Sequence, residues 1–251
     1  MPLFYLRRLT GKERDVNANR QLARYLAFVA GATNAGGYLA VNQYTSHMSG
    51  IVSAGADQLA LGNMALVLAA LGSLLSFTAG AICSAIMINW ARRAGLQSQY
   101  ACPLVVEAGL LICFGLIGGN LDRQMGLFVS ATVMLLCFIM GLQNAMITKL
   151  SKAEIRTTHV TGMVTDIGIE LGKLLYWNSP RYRQTEVPVT ADLAKMKLLA
   201  SLLGAFFSGG VAGALGFKHL GFISTLPLAA LLLVLAAVPI ADDLAEWLRP
   251  N

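Results

Sequence analysis

Six apolar runs, each long enough to cross a hydrocarbon layer of about 30 Å as a helix of roughly 20 residues, occupy 25–44, 64–91, 101–119, 127–148, 198–217 and 222–241. None shows the ten-residue alternation of a membrane barrel strand, so helices are predicted throughout. The expected fold is an all-α polytopic transmembrane bundle of about six spans.

The pattern repeats within the chain. The first run carries Phe28, Gly31, Asn34 and Ala35, and the fourth carries Phe138, Gly141, Asn144 and Ala145, so both read F-x-x-G-x-x-N-A. A second shared string follows each: Thr45-Ser46-His47-Met48-Ser49-Gly50 and Thr157-Thr158-His159-Val160-Thr161-Gly162. Small residues then recur every fourth position at Gly72, Ser76, Gly80 and Ser84, and at Gly204, Ser208, Ala212 and Gly216. Three matches in one order divide the chain into repeats at 25–119 and 127–241, joined by an external connection at 120–126. A basic leader (1–24), a connection within the second repeat (177–197) and a tail (242–251) complete the organisation. Because three crossings are an odd number, the second repeat enters the membrane upside down, the inverted architecture common among secondary transporters. The small-residue stripes are packing surfaces, expected to join the second and fifth spans to each other or to a second copy of the chain.

After each histidine string comes a short amphipathic stretch, 51–62 or 163–175, too short to cross alone. These stretches read either as half-helices that dip into the bundle, with Ser and Thr oxygens capping their first amides, or as turns at the surface. Extra spans are disfavoured by the charges of Asp166, Glu170 and Lys173. As half-helices, paired breaks in corresponding places would frame a site for an anionic solute. Its candidate binding residues are Asn34, Thr45, His47, Ser49, Gly50, Asn144, Thr158, His159, Thr161 and Gly162, with both strings facing one cavity at mid-membrane. Candidate proton-coupling residues are Asp57, Glu107, Asp166 and Glu170; Asp166, Glu170 and Lys173 also suit an exposed ion-paired face, and Glu107 a hydrogen bond between helices.

Composition agrees: 56% of residues are hydrophobic and 13% charged, against about a quarter charged in soluble domains. All of the 19 Lys and Arg except Arg123 and Lys218 fall in segments that a cytoplasmic N-terminus would place inside, including Arg14, Lys152, Arg181, Arg183 and Arg249. Both termini are therefore expected in the cytoplasm. The net charge of +6 then reflects loops beside an anionic lipid surface and calls for no nucleic-acid partner. Cys83, Cys102, Cys113 and Cys137 lie in or beside the spans and suggest neither a disulfide framework nor a zinc site. No phosphate loop, dinucleotide fingerprint or nucleophile elbow occurs, so neither a cofactor nor an enzyme activity is expected.

The paired strings, Phe28 to Ala35 with Thr45 to Gly50 and Gly141 to Ala145 with Thr157 to Gly162, resemble the YoaK family of uncharacterised bacterial membrane proteins. The resemblance runs from Arg24 to about Ala241, departing at Ile51, where relatives would carry Asn. It implies a bacterial inner-membrane protein of about six spans and carries no activity. The residues themselves point to secondary transport of a small anionic or weakly acidic solute, with proton coupling as one mode. A passive channel and a non-transporting membrane enzyme or structural subunit are the alternatives.

Overall fold

The computed structural model describes residues 2–12, 15–118, 127–151, 155–178 and 188–248. Among them all regular structure is helical: α1 (Pro2–Thr10), α2 (Val16–Val41), α3 (Met48–Ala60), α4 (Met64–Arg93), α5 (Ala101–Gly118), α6 (Leu127–Leu150), α7 (Val160–Leu175), α8 (Leu193–Leu220) and α9 (Thr225–Trp247). The connection at 120–126 and the cations Arg14, Arg123, Lys152, Arg181, Arg183 and Arg249 lie outside the described residues.

Four stretches are long and apolar enough to cross a membrane: Met64–Arg93, Ala101–Gly118, Ser130–Leu150 and Leu193–Trp247. The last contains α8 and α9, joined by the 3-10 turn Gly221–Ser224. The chain is a multi-pass helical membrane protein. α2 falls short on composition, since polar residues run through it from Asn17 and Arg20 to Arg24, Thr33 and Asn34, yet its 26 residues extend about 39 Å. Every residue from Val29 to Asn34 is buried, which makes α2 an interior helix.

Helix directions follow from side-chain pairings. Arg24 Nε donates to Ser201 Oγ at 2.9 Å, and further along Gly36 faces the Phe217 ring, so α2 and α8 run parallel. Ser76 Oγ donates to the Met134 carbonyl at 2.6 Å and Lys149 Nζ to Asn89 Oδ1 at 2.6 Å, so α4 and α6 are parallel too. α2 and α6 oppose each other, with Gly37 against Leu136 and the end of α2 beside the start of α6. α5 and α9 are likewise antiparallel, Ser98 N donating to Asp243 Oδ2 at 2.9 Å while Gly115 meets Thr225. Equivalent helices of the two repeats therefore run in opposite directions, as an inverted repeat requires.

The strongest sign of the two-fold relation is a set of reciprocal glycine contacts. A Cβ added at Gly31 would collide with the Phe206 carbonyl and one at Gly209 with the Phe28 carbonyl; Gly141 stands in the same way on Phe77, and Gly80 on Phe138. Four copies of Phe-x-x-Gly thus bring two helix pairs into backbone contact, the packing that small residues permit in lipid.

This register corrects the small-residue match drawn from the sequence. Gly80 corresponds to Gly209, not Ala212. Gly204, Ser208 and Ala212 lie on the exposed side of α8, whereas Gly209 and Gly213 are buried against α2. The second and fifth spans also do not join across these stripes: each packs on the first span of the opposite repeat.

α3 and α7 are half-helices, about 20 and 24 Å long at 1.5 Å per residue, too short for a layer of about 30 Å. Each runs back along the opening of the next long helix. Gly55 faces Ala70 of α4, and Asp166 of α7 pairs with Lys195 of α8 at 3.2 Å.

Candidate functional site

The histidine strings form two equivalent hinges. At the first, Asn34 Oδ1 accepts from the Ser46 amide at 3.3 Å and from Ser46 Oγ at 3.1 Å. At the second, Asn144 Oδ1 accepts from Thr158 Oγ1 at 2.7 Å. Each long helix thus holds the loop that leaves its own end, which explains why asparagine and hydroxyl recur at the same spacing. Thr45 and Thr157 are both fully buried beneath the hinges, their hydroxyls without a partner among the described residues.

His47 and His159 then occupy the N-cap positions of α3 and α7, with no side-chain cap bond. Their imidazoles fold over Gly50 and Gly162, where an added Cβ would strike the ring and displace it, so glycine three residues on lets each histidine keep this position. The expected Ser and Thr caps are not formed. Ser49 and Thr161 are exposed, while the oxygens of Ser46 and Thr158 are taken by the asparagines. Among the described residues the first-turn amides of α3 and α7 have no side-chain cap.

At the first hinge this bare helix start lines a cleft of about 600 Å³ between α3, α4 and the start of α6. His47, Gly50 and Gln58 contribute polar surface, with Tyr44, Ala70 and Met134 among the apolar walls. Tyr44 stacks on Tyr38 at 4.7 Å, bracing the rim.

Among the described residues the two hinges stand apart rather than around one cavity. α2 and α6 are antiparallel and each hinge follows the end of one of them. About 24 Å of helix separates Met134, beside the first hinge, from Leu150, before the second, at about 1.5 Å per residue. His159 and Gly162 do not line the first cleft. The expectation of one central site built from both strings is therefore replaced by two hinges at opposite ends of the α2–α6 pair.

The acidic candidates separate by environment. Asp57 is exposed on α3. Asp166 pairs with Lys195, and Glu170, buried, accepts from Lys173 Nζ at 2.9 Å and from the Asp192 amide at 2.7 Å. These contacts tie α7 to the start of α8. In the repeat register Glu170 corresponds to Gln58, whose Oε1 accepts from Asn63 Nδ2 at 2.7 Å just before α4. The Lys173 ammonium and, next, the Asp192 amide hold the Glu170 carboxyl below the usual carboxylate range. Glu107 is fully buried and accepts from Gln143 Nε2 at 2.8 Å.

Three residues of the hinges and the bundle interior stand outside the candidates drawn from the sequence: Ser46, Thr157 and Gln143. The repeat itself carried the signal for the first two, since they stand opposite Thr158 and Thr45. Gln143 is adjacent to Asn144 but has Thr33 as its counterpart, so alignment of the halves gives it no emphasis. Among the described residues no group of three or more His, Cys, Asp or Glu could hold a metal ion.

A family model described as a protein of unknown function (DUF1275) matches residues 22–238, which include both hinges. No curated protein and no solved structure matches the chain.

Proposed function

The chain belongs to this family of unknown function, DUF1275, and from its own geometry we propose that it is a secondary transporter of a small anionic or weakly acidic solute. The observation that carries the reading is the cleft at the first hinge. There the uncapped N-terminus of a half-helix, with its partial positive charge, opens on a space of about 600 Å³ beside His47. The inverted repeat places the equivalent hinge, around His159 and Gly162, at the opposite end. Alternating access exposes one hinge and then the other as the halves exchange packing. In this reading the six long helices cross the bacterial inner membrane, with both termini in the cytoplasm.

Reconstituted vesicles test it. Purified protein should drive uptake of a member of a weak-acid panel against its own gradient, and His47→Ala should lower that uptake at least several-fold. Flux that only dissipates gradients would indicate a channel, and no flux across the panel would sink the transport reading.

A further inference from the structure

Glu107 sits on α5 with no exposed surface, and no Lys, Arg or His among the described residues pairs with it. Its Oε1 accepts from Gln143 Nε2 of α6, while Glu107 Oε2 and Gln143 Oε1 are both buried without a partner among the described residues. As a carboxylate it would be an unpaired charge in the bundle interior, a costly state. One proton resolves both vacancies, because a carboxylic acid donates through one oxygen and accepts through the other, and an amide does the same with its N–H and C=O.

We propose that Glu107 is a proton-binding site, a neutral acid joined to Gln143 by two reciprocal hydrogen bonds that hold α5 against α6. The proton resides on Oε2 and is donated to Gln143 Oε1. Gln143 Nε2 donates in return to Oε1.

Among the described residues the surroundings supply no competing charge. The elements packed on α5 are α4, α6, α9 and the 3-10 turn. On α9 the acids cluster at the far end, where Asp242 binds Arg7 and Asp243 accepts from the Gln97 and Ser98 amides, about 14 Å of helix from Glu107 at about 1.5 Å per residue. Lys149 of α6 is bonded to Asn89, and Arg92 and Arg93 end α4. The remaining titratable groups on these elements and on α5 itself are Glu246, in the last turn of α9, and the thiols Cys83, Cys102, Cys113 and Cys137. The 3-10 turn has none.

The pair also belongs to one half alone. Cys102-Pro103-Leu104 matches Leu226-Pro227-Leu228, which sets Leu231 in the place of Glu107, while Thr33 stands in the place of Gln143. α5 lies closely on α6, whereas the equivalent helices α9 and α2 barely touch. The proton site therefore lies in the contact that distinguishes the two halves. Loss of the proton leaves one hydrogen bond and a buried charge, and loosens that contact. Its use in coupling rests on the transport reading; its existence does not.

Infrared difference spectra of the purified protein at neutral pH test it directly, independent of flux. Wild type should show a carboxylic-acid carbonyl band that shifts in heavy water, disappears in Glu107→Gln and moves to higher frequency in Gln143→Leu. Should Glu107→Gln fail to fold, the Gln143→Leu shift decides alone. A carboxylate signature assigned to Glu107, or an acid band indifferent to Gln143→Leu, would overturn the proposal.

Discussion

At the scale of single residues, the fold depends on backbone contacts that side chains would block. Gly209 meets the Phe28 carbonyl, whereas Ala212, one turn on, is exposed. Gly209→Leu should therefore lower stability by about 1 to 3 kcal/mol or more, the range for forced overpacking. Ala212→Leu should stay within about 0.5 kcal/mol, as outward substitutions do. Thermal unfolding in detergent would check both, and equal shifts would mean that α8 is rotated from the position described. The first-span glycines were legible in the sequence because F-x-x-G-x-x-N-A fixes their register against a longer motif. The α8 stripe was not, since spacing by four is satisfied equally by Gly204, Ser208 and Ala212 and by Ala205, Gly209 and Gly213. Only the preceding phenylalanine, Phe206 against Phe77, separates the two choices.

At the scale of elements, the half-helices were readable as short apolar stretches after a polar string, and their length excluded a crossing. Their direction was not readable. It depends on ties such as Gln58 to Asn63 and Glu170 to Asp192, which join residues whose relation appears only once the next helix is placed. The Glu170 tie is titratable. Its carboxyl is held low by Lys173 and the Asp192 amide, so the stabilisation is complete above the unfolded-state pKa and is lost as pH falls through the lower folded-state pKa. Hydrogen exchange in α7 should therefore quicken on acidification below the usual carboxylate range. In Glu170→Gln, which keeps an acceptor but has no charge to lose, that acid step should be absent while basal exchange is somewhat faster. An acid step of the same size in the variant would assign it to another group.

For the molecule as a whole, sequence and structure answer different questions. The charge pattern speaks to sidedness: no Lys or Arg occurs from Asn42 to Ala91, while Lys173, Lys195 and Lys197 flank the connection between α7 and α8. A cysteine placed at Leu61 should react with an impermeant reagent from outside and one at Asn178 only from within, both in a background lacking the four native cysteines. Labelling of both from one side would break the inverted topology. The contacts speak instead to state. A strict two-fold would make α5 on α6 and α9 on α2 alike, yet only the first pair is closely packed. Exchange of the halves would reverse that inequality and bring Thr33 and Leu231, the counterparts of Gln143 and Glu107, together. Thr33→Cys with Leu231→Cys, again without the native cysteines, should then cross-link weakly while Glu107 and Gln143 are paired and more strongly in Gln143→Leu, which breaks the tie from α5 to α6. Thiol reactivity varies with pH, so all are measured at one pH, and the control is the same pair in Glu107→Gln, whose amide keeps two hydrogen bonds. A rise of several-fold beyond that control would mean that loss of one helix contact shifts the balance at its mirror image. Equal rises in the two backgrounds would mean that the asymmetry is fixed in the fold and does not exchange.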